Sequence, residues 1–449
     1  MSERLRLACA FAGARWGRRF AGRAALLCFQ ERRLARFLAT ALPRAPFYRA
    51  WAGRPLAELP VVDKAAVLAD FAAFNTHGVT LDQALAVAVA AERSRDFLPQ
   101  LDGGLTVGLS SGTSGTRGVF LVSTTERARW AGVLLARLLS PESLRRLLHP
   151  GKPPLRVALF LRANSNLYST LGSRRLAFSF YDLLAPFAAH RERLAASPPD
   201  ILAAPPTVLR LLAEAQEAGE IALAPRQVIS VAEVLDADDR QAAERAFGVP
   251  VAQIYQATEG FLGASCPAGR VHWNEDLVHL EPEWLDGERR RFHPIVTDFS
   301  RTTQLVVRYR LDDVLVASSG PCPCGRPSWS FDVIAGRADE VLWAEPLAGG
   351  APVAVFPDLL RRSFALVDGL RDYRLEQHGA EWRLRIDRID LGGEVAAGVL
   401  KEIQELARRL AVRPPALRFE EWGSGPHEAP GDKRRRIRCM ARPAMGETR

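Results

Sequence analysis

Lysine is almost missing from this chain. Only Lys64, Lys152, Lys401 and Lys433 occur in 449 residues, although basic residues number 60 in all. The net charge of +9 is therefore carried by arginine spread along the whole sequence. Charge distributed this way does not make the concentrated basic face of a nucleic-acid-binding protein. Cysteine is scarce as well: six in a chain this long do not form a disulfide framework, and a reducing cytoplasm is the expected compartment. Long hydrophobic runs are absent too. None approaches the ~20 residues of a membrane span, and the apolar piece Ala24 to Phe29 is short for a signal-peptide core of about 7–15 residues. No repeats or low-complexity linkers occur. What is present is ordinary for a folded protein, with 48% hydrophobic and 25% charged residues. The length, about three times that of a single domain, predicts two or more domains.

The first hundred residues read as helix, broken by the extended piece Leu59-Pro60-Val61-Val62. Short apolar runs then alternate with helical patterns. Strands are expected at Leu105–Leu109, Val119–Val122, Val157–Leu161, Ile201–Ala203, Val228–Val231 and Val251–Tyr255. Ser123 and Glu126 stand at the spacing of a capping box, which starts a helix. This alternation predicts an α/β body with a largely parallel sheet. A second alternation begins near Gly336, of a size suited to a small α+β domain. The expected division is 1–336 and 337–449.

The most informative stretch is Ser110-Ser111-Gly112-Thr113-Ser114-Gly115-Thr116-Arg117-Gly118, between two strand candidates. Its glycines allow tight turns whose bare N–H groups can cradle phosphate oxygens. The hydroxyls and the Arg117 guanidinium add donors for the same anions. No Gly-Lys-Ser/Thr closes it, so it is not a Walker A loop. Gly108-Leu109-Ser110-Ser111-Gly112 matches the hydrolase pattern G-x-S-x-G, but that elbow needs a helix directly after the serine, where this loop runs on into another strand.

This loop resembles the phosphate loop of the adenylate-forming superfamily, which includes acyl-CoA synthetases, luciferase and peptide-synthetase adenylation domains. The resemblance is greatest to the phenylacetate–CoA ligase and coenzyme F390 synthetase-like branch, with Arg117 near the position of the usual lysine. Tyr255-Gln256-Ala257-Thr258-Glu259-Gly260 resembles the Y-x-x-T-E-G motif, Ala232-Glu233-Val234 the adenine-lining strip, and Arg308 to Asp313 the R-Y-R-T-G-D motif. Gly336-Arg337-Ala338-Asp339-Glu340 resembles the G-R-x-D-E hinge, and Pro430-Gly431-Asp432-Lys433-Arg434 the loop that delivers a catalytic lysine.

The resemblance implies an α/β fold with a large N-terminal domain of layered sheets and helices and a small mobile α+β C-terminal domain. It implies an enzyme that uses ATP and Mg²⁺ to convert a carboxylic acid to an acyl-adenylate, then passes the acyl group to coenzyme A or a carrier-protein thiol. In that reading Ser110 to Arg117 hold phosphates, Tyr255 stacks on adenine, and Ala232 and Glu233 line it. Thr258 binds the α-phosphate, Glu259 holds Mg²⁺, Asp313 takes the ribose hydroxyls and Arg337 reaches nucleotide oxygens. Asp339 is the pivot between domains. Lys433 is the cation that bridges two mutually repelling anions during adenylation. An alternative within the branch is AMP transfer to a hydroxyl of a deazaflavin. From a different class, the run Lys433-Arg434-Arg435-Arg436 alone would suit a solvated basic tail or a nucleic-acid patch.

Cys266, His272, Cys322 and Cys324 are three thiols and an imidazole, a donor set suited to structural Zn²⁺. The alternative is two buried cysteines and an exposed histidine without metal. Trp273-Asn274-Glu275-Asp276 resembles a W-E-D patch of the branch and suggests a structural turn. Asn164 to Tyr168, with Phe178, Phe180 and Tyr181, reads either as an acyl-pocket wall or as core.

Overall fold

The computed structural model describes residues 1–110, 117–162, 172–370, 372–386, 393–421 and 435–442. They form two compact units. The first comprises Met1–Leu235, Asp239–Leu311 and Ala317–Asp332; the second takes in Asp236–Asp238, Asp312–Val316 and Val333–Arg449.

The first unit begins with helices Glu3–Ala12 and Arg23–Thr40. The first is capped by Ser2, whose hydroxyl accepts from the Leu5 amide. It lies against helix Thr124–Leu138 so closely that a Cβ on Gly132 would overlap the Leu7 carbonyl. Arginines of this segment reach buried acids: Arg18 pairs with Asp276 at 2.9 Å and Arg23 with Glu275. Asp276 is fully buried, which favours its neutral form, but Arg137 and Arg18 hold its carboxyl below the usual range. The Trp273–Asp276 turn is thus a buried anchor for the N-terminal helices.

Strands β1 (Thr106–Leu109) and β2 (Val119–Val122) form an antiparallel hairpin in a sheet of their own. Strands β3 (Leu155–Leu161), β4 (Leu176–Asp182), β5 (Ile201–Ala204), β6 (Gln227–Ser230) and β7 (Val251–Ala257) follow in a parallel sheet of order β4-β3-β5-β6-β7. Both faces are covered, one by Leu209, Leu212 and Phe247, the other by Leu139 and Leu144, as parallel sheets require. β4 carries Phe178, Phe180 and Tyr181, and Tyr181 stacks on Phe160 in the core at 4.5 Å. Residues Asn164 to Tyr168 lie outside the described residues.

The expectation of a largely parallel sheet holds only as far as β7. Two residues, Thr258 and Glu259, join β7 to β8 (Gly260–Ser265), too few for a crossover, so β8 returns antiparallel. β9 (Val271–Trp273) continues the meander, and β10 (Val278–Trp284), β11 (Arg291–Asp298) and β12 (Tyr309–Arg310) form a second antiparallel set.

The second unit includes most of β13 (Asp313–Ala317) and of β14 (Ser330–Arg337), then the ribbon β15 (Leu342–Ala344) and β16 (Val353–Val355). Its sheet has the order β19-β18-β17-β20, from β17 (Tyr373–His378), β18 (Glu381–Ile386), β19 (Ala416–Glu421) and β20 (Ile437–Ala441). Alternation buries Leu375, Trp382, Leu384 and Ile386, while helix Glu394–Arg409 contributes Val399, Ile403 and Leu406 at helical spacing.

One buried carboxylate organises the middle of the first unit. The Ser123–Glu126 capping box is present: the Ser123 amide donates to Glu126 Oε2 at 2.9 Å. Glu126 also accepts from the amides of Thr302 and Thr303 and from the Thr303 hydroxyl. Burial opposes its charge, but the Thr302 and Thr303 hydrogen bonds and Arg301 hold its pKa below the usual value. A depressed carboxylate pKa contributes stability that is complete above the unfolded value and lost as pH falls through the folded one. Glu126→Gln is expected to cost about 3 kcal/mol at neutral pH. The gap between variant and wild type should narrow below about pH 4.5, the unfolded pKa range, as read from urea denaturation at several pH values.

Candidate functional site

Ser110 and Gly118 close the base of the glycine-rich loop. The Ser110 amide donates to the Gly118 carbonyl at 2.8 Å, and the Gly118 amide donates to Ser110 Oγ at 2.6 Å. Ser111, Gly112, Thr113, Ser114, Gly115 and Thr116 lie outside the described residues. Past those residues, Arg117 and Gly118 lead into strand β2. The Arg117 guanidinium is held by both oxygens of Glu92 and also donates to the Ser110 carbonyl. That hydrogen bond with Glu92 raises the Arg117 pKa and lowers that of Glu92. These contacts tie the arginine to Glu92 and to the base of the loop.

The turn between β7 and β8 brings Thr258 and Glu259 beside this base. The Thr258 hydroxyl donates to Glu259 Oε2 at 2.9 Å. A Cβ on Gly118 would come 3.7 Å from Thr258 Oγ1. Thr258, Glu259 and Gly118 line one small hollow with Arg301, Tyr309 and Lys64. Lys64 opens helix Lys64–Ala69, whose start is fixed by Asp63 accepting from the Ala66 amide at 2.9 Å. Nothing in the local sequence around Lys64 marks it as functional; its rarity in this chain was the one available signal.

Arg301 is buried and spans the site, donating to the Thr258 carbonyl at 2.8 Å and the Leu121 carbonyl at 3.1 Å. Beyond Thr258 a second, larger cavity of about 70 Å³ opens between helix Thr124–Leu138 and the start of β8, walled by Phe120, Trp130, Val133 and Phe261. Phe120 can lie there because Gly108, across the hairpin, has no Cβ to meet its ring.

Two expectations for the adenine wall meet different surroundings. Tyr255 is buried, 5.9 Å from Trp273 and 5.6 Å from Phe331 by ring centroid. Its ring packs in the aromatic core, where the strand's inward-facing position places it. Ala232 sits in the left-handed region at φ 68°, with the Glu233 amide donating to the Val231 carbonyl at 2.8 Å. Such a tight turn is strained for a non-glycine residue and costs of order 1–3 kcal/mol. The Thr207 hydroxyl donates to the Glu233 carboxylate.

The second unit gathers its own motifs. Arg337 Nη2 lies 3.5 Å from Asp312 Oδ2, and its Nε 4.0 Å from Asp313 Oδ1. Burial works against its charge, but Asp313, Asp339 and Asp312 together raise its pKa. Asp339 accepts from Arg435 with both oxygens, at 2.6 and 2.7 Å. Gly336 needs its missing side chain, because φ is 135° and a Cβ would overlap the Glu340 carboxylate. Lys433 lies outside the described residues. Arg435 and Arg436, from the same basic run, are buried; Arg436 pairs with Asp236 at 2.6 Å and Asp372 at 3.3 Å. Half of the run is therefore internal structure rather than a basic surface patch.

Cys266, His272, Cys322 and Cys324 converge, their ligand atoms all within 4.8 Å of one another. Cys266 Sγ and Cys322 Sγ are 3.5 Å apart, and Cys324 Sγ is 3.3 Å from His272 Nε2. These spacings suit a tetrahedral centre with bonds of about 2.0–2.3 Å. Turns support both cysteine pairs, with the Gly269 amide donating to the Cys266 carbonyl and the Gly325 amide to the Cys322 carbonyl. His272 Nδ1 lies 3.1 Å from the Ser328 carbonyl, which orients Nε2 toward the thiols. Burial lowers the His272 pKa to about 4, so the imidazole is neutral near pH 7, as a ligand must be. The four residues fit zinc in donor type and spacing, and His272 also in protonation.

The Arg117–Glu92 pair yields a direct check on the loop-exit geometry. Arg117→Ala and Glu92→Ala should each lower the melting temperature slightly, and the double variant should cost less than their sum. The expected coupling is about 0.5–1 kcal/mol, since both groups are partly exposed.

No family model matches the chain, and no curated protein matches it. Solved structures do. The 2-hydroxyisobutyryl-CoA ligase in the postadenylation state, in complex with R3-HIB-AMP, aligns over 92% of this chain and 89% of its own, with TM-score 0.62 and 18% identity. An open conformation of that ligase, with 2-HIB-AMP and CoA, aligns over 92% and 91% with TM-score 0.54 and 19% identity. The amide bond synthetase McbA from Marinactinospora thermotolerans aligns over 72% and 67% with TM-score 0.51 and 12% identity. At these identities the likeness is one of fold: a large α/β unit of layered sheets and helices with a smaller α+β unit, the adenylate-forming enzyme fold.

Proposed function

We propose that the protein is an adenylate-forming ligase that activates a carboxylic acid with ATP and transfers the acyl group to a thiol, coenzyme A or a carrier-protein arm. The observation that carries this reading is the meeting of Gly118, Thr258, Glu259 and Lys64 around one hollow, with Ser110 hydrogen-bonded to Gly118 beside it. In the first half-reaction a carboxylate oxygen attacks the α-phosphorus of ATP and the bond to pyrophosphate breaks. In the second the thiol sulfur attacks the acyl carbon, its proton is lost, and AMP leaves.

Both attacking and attacked groups are anionic in the first step, so positive charge in the hollow is the main requirement. Lys64, which lines the hollow, supplies one ammonium. Lys433 is the second cation, delivered by the loop Pro430 to Arg434. Glu259 would hold Mg²⁺, which neutralises charge on the departing pyrophosphate. Thr258 orients the α-phosphate through its hydroxyl, while Arg301 fixes the Thr258 backbone. Asp313 and Arg337 serve the ribose and the nucleotide oxygens. The cavity walled by Phe120, Trp130 and Phe261 takes the acid. Cys266, His272, Cys322 and Cys324 would hold Zn²⁺ as a closed structural centre that leaves no position for a reacting water.

The test is ATP–pyrophosphate exchange across a panel of aryl and aliphatic acids. Exchange should require an added carboxylic acid. Exchange without one, with AMP retained on a phenolic cofactor, would replace this reading with hydroxyl adenylylation. Lys433→Ala and Lys64→Ala should each slow adenylation by about 10²–10³-fold, and unchanged rates would remove either assignment. Glu259→Gln should raise the Mg²⁺ concentration needed for half-maximal rate. Elemental analysis should find about one zinc per chain, lost with a fall in melting temperature in Cys266→Ala; a metal-free preparation with unchanged melting would contradict the zinc centre.

A further inference from the structure

The wall of the acid cavity contains a carboxyl group that the proposed chemistry does not use. Asp298 ends β11 and is only 4% exposed, yet it lines the cavity. Its Oδ1 accepts from the Ser300 amide at 2.8 Å and the Ser300 hydroxyl at 2.6 Å. Its Oδ2 makes no hydrogen bond among the described residues. That oxygen faces the start of β8, where a Cβ on Gly260 would come within 2.8 Å of it. Gly260 therefore keeps the approach to Oδ2 open.

The other charged groups of the wall are engaged. Glu126 is filled by the Ser123, Thr302 and Thr303 donors, and Arg301 donates to the Thr258 and Leu121 carbonyls. Arg129 donates to the Ser300 carbonyl at 3.0 Å. Around them the wall is aromatic and aliphatic. An unpaired polar atom exposed to a largely apolar cavity favours a ligand that supplies its partner.

We propose that Asp298 Oδ2 selects hydroxylated carboxylic acids, with an aromatic or branched body packed against Phe120, Trp130 and Phe261 and a hydroxyl directed at Asp298. Burial pushes the Asp298 pKa up, against the Ser300 hydrogen bonds and Arg301. With Oδ1 already accepting two hydrogen bonds, a proton on the neutral acid belongs on Oδ2, where it donates to the ligand oxygen. In the ionised form Oδ2 accepts from the same hydroxyl. A hydroxyl serves both states, whereas an unsubstituted acid leaves the carboxyl unpaired in either. The inference rests on the adenylation reading only for the identity of the cavity's ligand as an acid.

The test compares matched pairs, each an acid and its hydroxylated analogue, such as benzoate with 3- and 4-hydroxybenzoate and 3-phenylpropanoate with its ring-hydroxylated forms. Two readouts are used on the full-length protein: kcat/KM in pyrophosphate exchange, and Kd by calorimetry without ATP. Wild type should prefer at least one hydroxylated member by about 10-fold or more, because a site built to bond a hydroxyl rejects the analogue lacking it. Asp298→Leu should bring that ratio to about one or below, while Asp298→Asn, which keeps hydrogen-bonding capacity in place, should retain a preference; melting curves check that both fold. Equal ratios in wild type and Asp298→Leu, or a wild-type preference for every parent acid, overturn the proposal. If no acid supports exchange, the ligase reading fails, and the calorimetric ratio still decides the role of Asp298.

Discussion

Four parts of the first unit meet at the ionised Glu126 carboxylate: the cap of helix Thr124–Leu138, the exit strand of the glycine-rich loop, the Ser300–Gln304 segment and, through Arg301, the Thr258 turn. Burying a carboxylate costs several kcal/mol unless its lone pairs are filled, and here six protein donors fill them. The result is that Ser300–Gln304 cannot shift without exposing that charge to an unsatisfied interior. Gln304 then completes β2 as a strand neighbour would, accepting from the Leu121 amide and donating to the Val119 carbonyl. The exit strand of the loop and the turn at Thr258 are thereby held to one another through the Gln304 and Arg301 side chains. Preorganisation of this kind is what electrostatic catalysis requires, since donors that need not rearrange lose nothing at the moment of reaction.

The same economy explains the distribution of arginine. Many guanidinium groups serve as internal braces: Arg18 and Arg137 on Asp276, Arg117 on Glu92, Arg301 on two carbonyls, Arg435 on Asp339 and Arg436 on Asp236 and Asp372. A planar fork that stays charged suits fixed bidentate contacts. Lysine, a mobile point charge, is left for few positions, and Lys64 at the Thr258–Glu259 hollow is one of them.

Much of this was legible in the sequence, and the reasons differ by feature. The capping box at Ser123 and Glu126, the strand at Val119–Val122 and the alternation from Tyr373 to Ile386 depend on neighbours a few residues apart, so local pattern reveals them. The convergence of Cys266, His272, Cys322 and Cys324 was readable from residue type once the pairs were placed near adjacent strands. What escaped was set by long-range packing. The antiparallel return after β7 depends on a two-residue turn that looks like any other motif, and Tyr255 faces inward because of strand register against Trp273 and Phe331. The commitment of Arg117 to Glu92, 25 residues upstream, and the roles of Arg301 and Asp298 have no local signature. Lys64 was visible only as a rare residue type.

The arrangement around Thr258, Glu259 and Lys64 makes sense if an acid oxygen attacks the α-phosphorus of ATP, and isotope transfer reads that bond directly. With an acid labelled by ¹⁸O in its carboxylate and a thiol acceptor present, complete turnover should place one ¹⁸O in AMP and none in pyrophosphate. Label in pyrophosphate or inorganic phosphate, or AMP free of label while thioester forms, would contradict adenylation as the reaction of this site.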